Sequence, residues 1–169
     1  MNTASDNNLD WHAAQAALEM IKNTRAYKDK PIKASDVENL MTKTLGVLQE
    51  NGVYAGLLYL YSRSEGEQPI ARPSRVQLLH LTSKLHLSPP TDSKVADEVV
   101  LKDVNSNIAL KFLTDNICND LDRLLLIKQL WEQTLIYARY GAKARGVEEK
   151  AAEEAKKANE EVEKAQLQS

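Results

Sequence analysis

Three histidines, one cysteine and several clusters of lysine and arginine are the side chains of this 169-residue chain suited to chemistry. A zinc site needs four nitrogen, sulfur or carboxylate ligands brought to one point. His12 lies far along the chain from His80 and His86, whose six-residue offset does not share a helix face, and Cys118 is alone, so no metal is expected. A single cysteine also excludes an internal disulfide framework and suits a reducing cytosol. The chain contains no G-x-x-x-x-G-K-[ST], no G-x-G-x-x-G and no G-x-S-x-G. Nucleotide-binding and hydrolase readings therefore lack their motifs, and no cofactor is expected. One arrangement remains, Arg75 and His80 in an R-x4-H spacing. A histidine can serve as a general base and an arginine can stabilise developing negative charge.

The basic residues form three clusters: Lys22, Arg25, Lys28, Lys30 and Lys33, interrupted only by Asp29; Arg72, Arg75 and Lys84; and Arg139, Lys143 and Arg145. At 100° per residue on one helix, Lys128, Arg139 and Lys143 fall within about 60° of one another. Lys22, Arg25, Lys128, Arg139, Lys143 and Arg145 are the candidate nucleic-acid phosphate contacts, which bind without reading sequence and weaken as salt rises. The competing reading is that cations near a helix C-terminus complement its dipole. Tyr137 and Tyr140 flank Arg139 as residues that either pack or stack on bases.

The elements holding these residues read as helices. Trp11, Ala14, Leu18 and Ile21 are spaced as one stripe of a first helix reaching about Tyr27. KDKPIKAS reads as a loop, and Ser35 with Glu38 has the capping-box spacing that starts a second helix. Val37, Leu40, Met41, Thr44 and Leu48 line it as far as Asn51-Gly52, where glycine supplies the backbone freedom to end it. NGVYAGLLYLYSR follows, with Val53, Leu57 and Leu60 on one side and Tyr54, Leu58 and Tyr61 on another, so neighbours are expected to cover this third helix nearly all round. Residues 62–73 read as a loop, and a fourth helix, with a strand as the alternative for VQLLHL, begins behind Pro73-Ser74. HLSPPTDSK reads as irregular. A fifth helix begins near Asn105, and Asp120 caps a sixth lined by Leu124, Ile127, Trp131, Leu135, Ala138 and Ala142. The fold expected is all-α, a compact bundle of about six helices with a long C-terminal helix.

The flanks differ in composition. Residues 147–169 hold seven Glu and four Lys, which leaves 18 basic and 17 acidic residues in 1–146 and a net charge of −2 overall. Three parts follow: a disordered N-terminus at 1–8, one helical domain at 9–146, and a charged helical or disordered tail at 147–169. In the tail, Ala151, Ala155, Ala158, Val162 and Ala165 make a weak heptad-like seam. MNTASDNNLD has neither the basic nor the apolar region of an export signal, and NGVYAGLLYLYSR falls short of the ~20 apolar residues of a membrane span. No membrane partner and a cytoplasmic location are expected.

Two resemblances bear on function. Arg75-Val76-Gln77-Leu78-Leu79-His80 resembles the motif of the HEPN group of all-helical ribonucleases, which implies His80 as base on a ribose hydroxyl and Arg75 beside the phosphate. Val76 departs from that group, which carries a polar residue after the arginine. The broader resemblance is to the small helical subunit of the Cmr complexes, the type III-B CRISPR effectors that target RNA. WHAAQAALEMIKNTRAYKDK, NGVYAGLLYLYSR and TLIYARYGAKA carry it, in the order that family has them. The family has an aromatic residue followed by Leu-Lys-Arg near the end of its last helix, so in Tyr137-Ala138-Arg139-Tyr140 only the aromatic and one basic position correspond. The resemblance implies a noncatalytic protein, with no catalytic residues, that stacks with copies of itself beside the crRNA-bearing subunits and braces the guide–target channel. Its partners would be the other effector subunits and the crRNA and target RNA backbones. The alternatives are the HEPN-like ribonuclease and a helical adaptor that binds protein only.

Overall fold

A computed structural model describes residues 8–28, 30–84 and 104–166. The described residues form five helices and one two-stranded hairpin: α1 (Leu9–Asn23), β1 (Ala26–Tyr27), β2 (Lys30–Pro31), α2 (Ala34–Tyr61), α3 (Gln68–Lys84), α4 (Ser106–Asn116) and α5 (Leu121–Gln166). The all-α class holds. The second and third expected helices share one label, α2, and are separated by the non-helical backbone of Gly52. HLSPPTDSK lies outside the described residues.

α5 is the column on which α1 and α2 pack, with α3 laid on α1 and α2 and α4 on α2. Ile127, Trp131, Leu135, Ala138 and Ala142 are fully buried along it, as their spacing predicts. Trp131 donates from Nε1 to Thr82 Oγ1 at 3.0 Å, which satisfies the indole inside the core and ties α3 to α5. Asp120 starts α5 by accepting from the Arg123 N–H at 3.1 Å, and Asn105 starts α4 by accepting from the Ile108 N–H at 3.1 Å. Asn8, which the sequence groups with the N-terminal flank, caps α1 in the same way.

Four local expectations are corrected. α1 ends at Asn23 rather than Tyr27, and it buries Ala13, Ala16, Ala17 and Met20, not the Trp11 and Leu18 stripe. Trp11 is 44% exposed and Leu18 63%. The reason is separation: an alanine face lets α1 approach α5 so closely that a Cβ added at Gly141 would lie 3.2 Å from Ile21. The capping box does not form, because α2 begins at Ala34 behind Lys33, which makes no side-chain cap bond. Ala34 is buried against Gly146, where an added Cβ would meet it at 3.3 Å. α3 begins at Gln68 and contains Pro73, so the preceding loop is shorter than expected and VQLLHL is helical.

The fourth correction concerns the apolar third segment. Gly52 has φ 87° and ψ −177°, a conformation reserved for glycine, and it bends α2 sharply. Leu48 Cα and an added Cβ at Gly56 would be only 3.6 Å apart, so the short arm beyond the bend folds back on the long one. Val53, Leu57 and Leu60 are buried in that fold-back. Tyr54 and Leu58 are not, Leu58 being 45% exposed, while Tyr59 and Tyr61 are half-buried against the core, so neighbours leave one face of the segment open. No helix among the described residues is long and apolar enough to cross a membrane. The tail continues α5 as helix to Gln166, with residues 147–162 exposed.

The two sides of the arm will separate in mutant stability. Leu57→Ala should destabilise by about 3 kcal/mol through its cavity, while Leu58→Ala should stay under about 1 kcal/mol. Gly52→Ala should cost about 1–3 kcal/mol in backbone strain. Urea titrations followed by tryptophan fluorescence measure all three.

Candidate nucleic-acid interface

The segment between α1 and α2, read as a loop, folds into a small antiparallel hairpin. Ala26 pairs with Pro31 and Tyr27 with Lys30, and the Ile32 N–H donates to Arg25 O at 2.9 Å below them. Lys28 turns the chain with φ 48°, in the left-handed region. Only four strand residues make this hairpin, too few to be stable alone, so its shape has to be imposed from outside.

Arg145 imposes it. Its side chain enters from α5, where it continues the buried stripe of the helix, and it is 4% exposed. Nη1 donates to Thr24 O at 3.1 Å and Nη2 to Ile32 O at 3.0 Å, one bond to each foot of the hairpin. Nε lies 3.1 Å from the Glu149 carboxylate, an ion pair without hydrogen-bond alignment. Burial lowers the pKa of the guanidinium, the Glu149 charge opposes that, and nearby Arg25 adds to it. Arginine remains charged at any physiological pH nonetheless. A fixed fork of donors meets two divergent carbonyls that lysine could not bridge together.

The six candidate contacts are thus sorted by position. Lys22 is exposed in the last turn of α1, 3.6 Å from Glu19, a surface pair of little energetic weight. Arg25 is exposed at the hairpin foot; Lys143 is exposed on α5, about 160° around the helix from Arg145. Arg139 is half-buried with its guanidinium 5.3 Å from the Tyr140 ring centroid. Lys128 is a full 17 residues from Arg145 along α5, about 25 Å at the helical rise. It is held by a bond to Gln49 O at 3.1 Å and lies 3.9 Å from Glu132. Arg145 departs from the expectation: it is buried, and its Nη1 and Nη2 are bonded to backbone carbonyls instead of facing solvent. The wheel of α5 is correct for Lys128, Arg139 and Lys143, but Glu132 lies in the same sector and neutralises its far end.

Sequence reasoning passed over three exposed lysines in this set, Lys28, Lys30 and Lys33. Their clustering was visible; their convergence on one hairpin was not, because two-residue strands leave no periodicity to read. Tyr137 is a packing residue, its hydroxyl donating to Asp10 on α1, while Tyr140 is exposed.

Arg75 and His80 do not converge within α3. Their offset turns them about 140° apart on a helix. The Arg75 guanidinium sits 4.4 Å from the Tyr61 ring centroid and donates to Gln68 Oε1 at 2.8 Å. His80 lines a groove of about 310 Å³ between α1 and α3 with Trp11, His12, Gln15 and Glu19. Among the described residues no group of three or more His, Cys, Asp or Glu is placed to hold a metal ion. Burial raises the Cys118 thiol pKa, which disfavours a reactive thiolate.

No protein-family model matches the chain, and no curated protein or solved structure matches it.

Arg145→Met should therefore weaken the fold and free the hairpin together, with a stability loss of about 3 kcal/mol from two charged hydrogen bonds and the carbonyls left behind. Lys143→Gln, exposed two residues earlier, should change stability by less than about 0.5 kcal/mol. Thermal and urea unfolding of both variants will decide it.

Proposed function

We propose that this chain is a noncatalytic structural subunit of a type III-B CRISPR RNA-guided effector, packing beside copies of itself and the crRNA-binding subunits in the cytoplasm and contributing sequence-independent contacts to RNA. The observation that carries this reading is the division of the molecule between the two ends of the buried stripe of α5. At one end the hairpin and the last turn of α1 present Lys22, Arg25, Lys28, Lys30 and Lys33 to solvent. At the other, where Lys128 reaches Gln49 beside the bend of α2, Tyr54, Leu58, Leu121 and Leu125 are exposed. Cations suit phosphate; exposed large apolar side chains suit a protein neighbour.

The three segments that carry the family resemblance support it too. They form most of α1 with its hairpin, the bend and short arm of α2, and the stretch of α5 that packs on α1. Cleavage of target RNA then belongs to a neighbouring subunit, and Arg75 stays a structural residue stacked on Tyr61.

Purified protein should bind two unrelated single-stranded RNAs with affinities within about twofold of each other, weakly, and with log K falling linearly in log salt between about 50 and 200 mM. Glutamate at Lys22, Arg25 and Lys143 together should weaken binding at least about tenfold. Affinity indifferent to salt would remove the phosphate contacts. RNA association of the complex unchanged by the triple reversal would leave a protein-only adaptor. Cleavage of RNA by purified wild type, lost in His80→Ala, would overturn the noncatalytic reading.

A further inference from the structure

We infer that the hairpin grips single-stranded RNA specifically, with Tyr27 as a stacking platform for one unpaired base and Lys28 and Lys30 holding the phosphates on either side of it. This rests on the reading of the protein as RNA-facing and adds which form of RNA the site takes. Tyr27 is 45% exposed and is not part of the core cluster, so packing does not account for its place. It lies on β1 opposite Lys30 and next to Lys28, whose Nζ is 5.3 Å from the ring centroid. An exposed aromatic ring with one lysine beside it and another across the hairpin is the combination that holds single strands: the ring takes a base face of any identity, and the cations track the backbone.

A duplex cannot use the ring, because its bases are already stacked and A-form grooves offer the protein mainly phosphates and 2′-hydroxyls. The platform is also rigid. Arg145 holds Thr24 O at 3.1 Å and Ile32 O at 3.0 Å, so Tyr27 is presented on a pinned support and little ordering is left for binding to supply.

The test uses the full chain with a short oligouridylate and an RNA duplex of equal phosphate number, measured by fluorescence anisotropy over a salt series. Tyr27→Ala should weaken oligouridylate binding about tenfold, as stacking on one base implies, with its salt slope and the duplex affinity unchanged. Tyr27→Phe, which keeps the ring, should bind like wild type. Lys28→Gln with Lys30→Gln should weaken both RNAs and reduce the single-strand slope by about 1.4. If Tyr27→Ala binds oligouridylate like wild type while the lysine variant weakens both RNAs, stacking is overturned and the RNA-facing reading stands. If wild type binds neither RNA, both fall, and the hairpin is left as a surface for an acidic protein. Tyr27 is outside the core, so its variants should melt like wild type, and that melt is the folding control.

Discussion

One stripe of α5 supports everything else in this protein. It runs from Ile127 through Trp131, Leu135, Ala138 and Ala142, all buried, and it is where α1 and α2 find their apolar partner, while α3 lies on α1 and α2 and reaches the stripe through the Trp131–Thr82 bond. What gives the molecule its character is how that stripe ends. One turn past Ala142 the next inward position is Arg145, a charge placed where another leucine would have continued the core. A buried guanidinium is costly unless its donors and charge are met, and here the carbonyls of Thr24 and Ile32 take one bond each while the Glu149 carboxylate lies beside Nε. The end of the core is thereby made into a clamp. A hairpin too small to hold itself is fixed by the last residue of the stripe.

The same helix sets the polarity of the surface. Because α1 lies along it with Asp10 against Tyr137 and Thr24 against Arg145, the basic end of α1 arrives beside the basic end of the α5 body. Because α2 meets it with Ala34 at Gly146 and Gln49 at Lys128, the apolar bend of α2 arrives at the opposite end. The direction in which each helix crosses the column brings Lys22, Arg25 and the hairpin lysines to one end of the stripe and Tyr54, Leu58, Leu121 and Leu125 to the other. Near-neutral total charge conceals this, since the sum over the chain does not register where the charges lie.

Some of this was legible without coordinates. The α5 stripe was, because long helices with large, regularly spaced apolar residues leave little choice of face. So were the starts of α4 and α5, since Asn105 and Asp120 cap through backbone bonds three residues away, and the break at Gly52, since it needs a residue without a side chain. These features depend on neighbours in sequence, and sequence carries them.

The face of α1, the start of α2 and the role of Arg145 depend instead on neighbours in space. Trp11 and Leu18 are the larger apolar residues of α1, yet the alanines face inward because Gly141 on α5 leaves room only for a close approach. Ser35 and Glu38 have capping spacing, yet Ala34 starts α2 because Gly146 accepts it. Arg145 reads as one more surface cation at a helix end, and only the arrival of two backbone carbonyls from residues 24 and 32, more than a hundred positions away, makes it the pin of the basic surface. Residue types and their periods determined that this chain is helical and where its column lies. Which cations face solvent, and which one is consumed holding them there, was decided by contacts that exist only once the helices have met.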